Sequence, residues 1–181
     1  FLARLVPKKG GDHTLRALDV LHHLYPELHL IIIGRGPEEG RLKRLTRKLK
    51  LTDCVSFVGE TTEAEKAAYL KSADIFIAPY ADEGFGLSVV EAMACGCPVV
   101  GFRNRAFGEV LSDYNKNFLV TPGDTQALTQ AIDRLLKDAS LRRKTGDWCR
   151  QKTQAYRWDK VAETTEQVYA KVMSKQTPFF A

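Results

Sequence analysis

Glu83 and Glu91 stand with seven residues between them in an otherwise apolar run, EGFGLSVVEAMACGCPVVG, residues 83–101. Gly84 and Gly86 flank Phe85, and a helix reads from about residue 86 to 95. In that helix only Ser88 and Glu91 interrupt the apolar pattern, and at three positions apart they share one face. A buried carboxylate is costly unless something hydrogen-bonds it. Two accounts fit: a core Lys or Arg pairs with Glu91, or a ligand offers it vicinal hydroxyls. The amides around Gly86–Ser88, at a helix start, lack intrahelical acceptors and suit a phosphate.

Two more loops carry suitable chemistry. In ARLVPKKGG, residues 3–11, the cations Arg4, Lys8 and Lys9 lead into Gly10–Gly11 and a helix, an arrangement that suits phosphate or a solvated turn. In GRGPEEGRL, residues 34–42, the spacing G-x-G-x-x-x-G is one residue longer than the dinucleotide fingerprint. Glu38 and Glu39 also put negative charge where a pyrophosphate would sit, which argues against a nicotinamide or flavin enzyme. Gly34 and Gly36 still permit close approach of a ligand to the backbone. Cations and a helix N-terminus for a diphosphate, with carboxylates for polyols, match the order of groups in a nucleotide sugar. No D-x-D pair or His/Asp/Glu cluster is spaced to bind a metal, so Arg4 and Lys9 must offset the diphosphate charge.

These loops need elements to hold them. Short apolar runs predict strands at Leu2–Val6, His29–Gly34, Val55–Gly59, Ile75–Pro79, Pro98–Phe102 and Phe118–Val120. Helical patterns fall at about 11–25, 38–50, 63–72, 86–95, 124–138, 140–155 and 158–174. Such alternation predicts an α/β fold with a doubly wound, mainly parallel, Rossmann-like sheet flanked by helices. Ligands of such sheets bind beyond the carboxyl ends of the strands, where all three loops lie.

The 181 residues are 44% hydrophobic and 27% charged, enough for one domain with a substantial core. We expect residues 1–175 to form it and 176–181 to be a tail. No run of 18 apolar residues marks a membrane span, and residues 1–30 lack the order of a signal peptide. The net charge of +5 suits an anionic partner. RLKRLTRKLK, residues 41–50, holds six basic and no acidic side chains, with leucines at helical spacing. It reads as a solvated helix face or a contact for an anionic membrane surface; nucleic acid is disfavoured because no aromatics are interleaved. Cys54, Cys95, Cys97 and Cys149 show no metal-ligand spacing and read as reduced thiols of a cytoplasmic protein, while His13, His22, His23 and His29 read as structural.

The sequence resembles the C-terminal half of a retaining glycosyltransferase of the GT-B fold, family 4. The residues that carry the resemblance are RLVPKKG, IIIGRGPEEGRL, VSFVGE, ADIFIAPYADEGFGLSVVEAMACGCPVVG and NFLVTPGD, spanning residues 2–170. The resemblance implies that Arg4 and Lys9 hold the donor diphosphate, that Glu83 serves the transferred sugar and that Glu91 binds the ribose hydroxyls. It also implies that Phe85, Gly86 and Leu87 meet the donor phosphates and sugar, and that Val58 and Gly59 line the base. Two departures are FRNRAFGEVL, where a Gly-rich turn is usual although Glu109 still fits, and Asn117 in place of Gly.

By the same resemblance no cofactor is required. The donor is a nucleotide diphosphate sugar with UDP, GDP or ADP open, and an N-terminal acceptor domain lies outside this chain. The terminal helix would cross to that domain, so Phe179 or Phe180 should pack on it or on a neighbouring molecule. Alternatives are a non-catalytic nucleotide-binding module of the same fold, or a relative of the GT-B glucan phosphorylases, for which no convincing pyridoxal phosphate site is seen. A glycosidase would need no activated donor.

Overall fold

The computed structural model describes residues 1–112 and 118–174; the readings of Asn117 and of Phe179 or Phe180 lie outside these residues. The elements in chain order are α1 (Gly11–His22), β1 (Leu30–Ile33), α2 (Glu39–Lys48), β2 (Val55–Gly59), α3 (Glu63–Ser72), β3 (Phe76–Ala78), α4 (Leu87–Ala94), β4 (Val99–Phe102), α5 (Arg105–Val110), β5 (Leu119–Val120), α6 (Thr125–Lys137), α7 (Ala139–Lys152) and α8 (Trp158–Ser174). The strand pairings among the described residues are parallel, as the alternation of strands and helices requires. Every residue of β4 is buried, as in a strand covered on both faces.

The expected single sheet is instead two ladders, β1–β2 and β3–β4–β5. The predicted strand Leu2–Val6 contributes one bridge, Leu2 to Ile33. Its backbone nonetheless follows β1: Ala3 N–H donates to the Ile33 carbonyl at 3.1 Å and Leu5 N–H to that of Arg35 at 2.8 Å. The run stops because Val6 N–H turns back onto the Arg4 carbonyl at 2.9 Å. Pro7, which has no N–H, then opens a 3-10 turn over Pro7–Lys9. Tyr80, just past β3 and fully buried, donates its hydroxyl to the Leu2 carbonyl at 2.7 Å and so ties the second ladder to this segment.

Helix α5 has no counterpart among the helices expected from the sequence. Asn104 starts it by accepting from Phe107 N–H at 2.9 Å, while its amide donates to the Tyr80 carbonyl at 3.0 Å. The helix drives Phe107 into the core beside Tyr80, with ring centroids 5.8 Å apart. The buried polar residues among those described are Thr14, Thr46, Thr145 and Thr153. Each hydroxyl donates to a carbonyl three or four residues back, so burial leaves none unsatisfied. His13 packs edge-on against Phe102 and is bonded to Thr125.

No helix among the described residues is long and apolar enough to cross a membrane. Helix α8 buries no residue and exposes Trp158, Val161, Val168, Tyr169, Val172 and Met173.

Candidate functional site

A cleft of about 850 Å³ opens where the loops after the first extended segment, β1, β2 and β3 converge. Arg4, Lys9, Gly34, Gly36, Gly59, Glu83, Phe85, Gly86, Leu87 and Glu91 all line it. Val58 does not: it lies on β2, one residue before the lining begins at Gly59, and alternation turns it to the other face of the strand. Glu109 also lies outside the lining, on the exposed side of α5, 3.8 Å from Arg105.

The glycines of the second loop are needed by the chain itself. A Cβ on Gly34 would sit 2.1 Å from the Ala3 carbonyl oxygen, and one on Gly36 2.3 Å from that of Leu5. The pair therefore lets Gly34–Gly36 run against residues 3–5 and forms the cleft floor. At Gly86, φ is +92°, and the residue caps α4 by taking the Val89 and Val90 N–H groups on its carbonyl. Phe107 backs this turn: a Cβ on Gly86 would stand 3.0 Å from its ring. The N–H groups of Leu87 and Ser88 in the first turn of α4 have no acceptor among the described residues.

Charge is arranged in two pairs. Lys9 donates to Glu83 and lies over the Tyr80 ring, 4.3 Å from its centroid. Glu83 accepts a second bond from Gly84 N–H at 2.9 Å. Burial pushes the Glu83 carboxyl up, but the bonds from Lys9 and Gly84 and the charges of Lys9 and Lys8 outweigh it and hold the group below the usual carboxylate range. The second pair is Glu91 with Lys66, at 2.8 Å; Lys66 also meets Glu63 at 2.8 Å. Burial pushes the Lys66 amine down, and hydrogen bonds to the two carboxylates more than compensate, so the ammonium form is favoured.

Glu91 thus has the basic partner that one of the two sequence accounts required. It is not buried, however: its side chain is 38% exposed at the cleft wall, and α4 is less enclosed than its composition suggested, with Leu87 69% exposed. Arg4 is exposed, and its guanidinium has no hydrogen-bond or ion-pair partner among the described residues. Arg35, also exposed, lies in the cleft beside Gly59.

Sequence reasoning missed Lys66, Arg35 and Tyr80. In TTEAEKAAYL, Lys66 looks like any solvated lysine of a first helical turn, and nothing local ties it to a glutamate 25 positions on. The capping box of Thr62 and Glu65, which starts α3 and so places Lys66, was the legible part of that signal. Among the described residues no group of three or more His, Cys, Asp or Glu side chains is placed to hold a metal ion.

Residues 1–152 match the family described as Glycosyl transferases group 1. The chain is 36% identical over 167 residues to a phosphatidyl-myo-inositol mannosyltransferase of Mycobacterium leprae, covering 92% of this chain and 44% of that protein. Among solved structures it is similar to sucrose-phosphate synthase of Thermosynechococcus elongatus, with TM-score 0.82, 27% identity, and 97% of this chain against 46% of that one. It also resembles Anabaena HepE in complex with UDP and glucose, with TM-score 0.81, 26% identity, and 97% of this chain against 47% of that one. The chain therefore spans less than half the length of each of these relatives.

Proposed function

Because the chain belongs to the glycosyl transferases group 1 family, we propose that it is the donor-binding half of a retaining glycosyltransferase, which moves a sugar from a nucleotide diphosphate sugar to an acceptor hydroxyl. One observation carries the reading. A single cleft brings Arg4, Lys9 and the open amides of α4 onto the same side as Glu83 and Glu91. The structure of a relative holding UDP and glucose supports the same ligand class.

In this reading the diphosphate sits between Arg4, Lys9 and the first turn of α4. Charge builds on the leaving phosphate as the glycosidic bond breaks, and fixed cations and amides stabilise it without reorganising. Lys9 exchanges Glu83 for phosphate, and the freed Glu83 turns to the sugar hydroxyls. Glu91 accepts from the ribose. The acceptor proton passes to the departing phosphate, so no protein nucleophile, metal or other cofactor is required. Acceptor binding belongs to an N-terminal domain outside this chain, and the exposed apolar stripe of α8 suits contact with it. The fragment alone is then a weak nucleotide binder without transferase activity.

A cytoplasmic location at an anionic membrane face fits the outer surface of α2 and the turn after it, where Arg44, Arg47, Lys48 and Lys50 have no ion-pair partner among the described residues.

Calorimetric titration with UDP, GDP and ADP, with and without magnesium, tests the donor site on this chain and on Glu91→Gln. The reading expects one diphosphate to bind independently of magnesium and to be weakened by Glu91→Gln. Failure of all three nucleotides to bind would sink it.

A further inference from the structure

We infer that Lys66 is a positioning residue for Glu91, and that it sets how the cleft discriminates a ribose from a deoxyribose. The inference rests on the donor-site reading above and names a residue that reading does not need.

The ammonium of Lys66 has three donors. One goes to Glu91 Oε1 at 2.8 Å, and others reach Glu63 Oε1 at 2.9 Å and Oε2 at 2.8 Å. Lys66 is itself enclosed, with a side chain 17% exposed, whereas Glu63 is 88% exposed. Its location in the cleft lining puts it beside Glu91 on the wall rather than out in solvent.

The consequence is asymmetric. A carboxylate has two oxygens, and Lys66 takes Oε1, leaving Oε2 without a partner among the described residues. The free oxygen is held in one place because the other is clamped. A glutamate without the clamp would sample its rotamers at the half-exposed wall, and ordering it on binding would weaken the ribose contact. The capping box of Thr62 and Glu65 fixes the first turn of α3, so Lys66 is presented from a rigid base. The positive charge also offsets one of the two carboxylates it touches, which limits the negative field that a diphosphate would meet on entry.

The test compares UDP, GDP and ADP with their 2′-deoxy forms by calorimetry on the wild-type chain, Lys66→Met and Lys66→Arg. Circular dichroism checks that each variant is folded. Wild type should bind the ribose form of its nucleotide about 10-fold tighter than the deoxy form, the size expected for one hydrogen bond to a charged group. In Lys66→Met that ratio should fall to about 2-fold, because ribose affinity drops while deoxy affinity barely moves. Lys66→Arg, which keeps a charged donor, should restore most of the ratio.

A uniform loss for ribose and deoxy forms, with the ratio kept in Lys66→Met, would overturn the positioning role and leave the donor site standing. Equal behaviour of Lys66→Arg and Lys66→Met would overturn that role in the same way. Absence of binding by any ribonucleotide to wild type would overturn the donor reading and this inference together.

Discussion

Replacing Glu83 by glutamine should make nucleoside diphosphates bind more tightly to this chain. In the resting cleft Lys9 is already committed: it donates to Glu83 and rests on the Tyr80 ring. The pair is well enclosed, with side chains 15% and 20% exposed. In the proposed donor site an incoming phosphate would therefore displace a carboxylate. Two unit charges about 4 Å apart at an effective dielectric of about 20 attract by ~4 kcal/mol, most of which the desolvation of the two groups offsets. The net value of a charged hydrogen bond is nearer ~1.5 kcal/mol, or roughly 10-fold in affinity. Glu83→Gln keeps the shape, releases Lys9 and should tighten binding by about that factor. Lys9→Met should weaken binding, and Glu83→Gln should give no further gain in the Lys9→Met background, since the two effects share one contact. Calorimetry on the four proteins at one ionic strength reads all of this. Unchanged or weaker binding in Glu83→Gln would refute the competition, and an equal gain in the Lys9→Met background would show that it acts elsewhere.

Three further outcomes follow from the geometry. Because the Glu83 carboxyl is held low in the fold, the stability it contributes is complete above its unfolded value of about 4.3 and is lost as pH falls through the folded value. The melting temperatures of wild type and Glu83→Gln should therefore converge on acidification from about pH 6 to pH 3, and a constant gap would contradict the assignment. Gly36→Ala forces a Cβ to 2.3 Å from the Leu5 carbonyl oxygen and should cost about 3 kcal/mol or more, read as a shifted denaturant midpoint; a cost under about 1 kcal/mol would mean that residues 3–5 do not lie against this loop in solution. Tyr80→Phe removes the hydroxyl that donates to the Leu2 carbonyl and should cost about 1–2 kcal/mol, measured the same way; no loss would show that this bond does not tie the ladders together.

The alternation of apolar runs with helical patterns was enough to determine the fold class. Strands such as Leu30–Ile33 and Val99–Phe102 are apolar because both faces are covered, and that requirement is local and legible. The candidate site loops were legible for a similar reason. Glycines, cations and glutamates at the carboxyl ends of predicted strands stand out against apolar surroundings, and the structure brings Arg4, Lys9, Gly34, Gly36, Glu83, Gly86 and Glu91 to one cleft. Helix α5 escaped notice because its start depends on Asn104, whose amide reaches across to Tyr80. Short helices have too little periodic pattern to declare themselves.

The pairing of charges belonged to the tertiary structure alone. Lys9 and Glu83 are 74 positions apart, and Lys66 and Glu91 are 25 apart. Each residue type was readable as a candidate, but the identity of its partner was not. Ion pairing falls off with distance in space, and only the crossovers between parallel strands decide which distant side chains become neighbours.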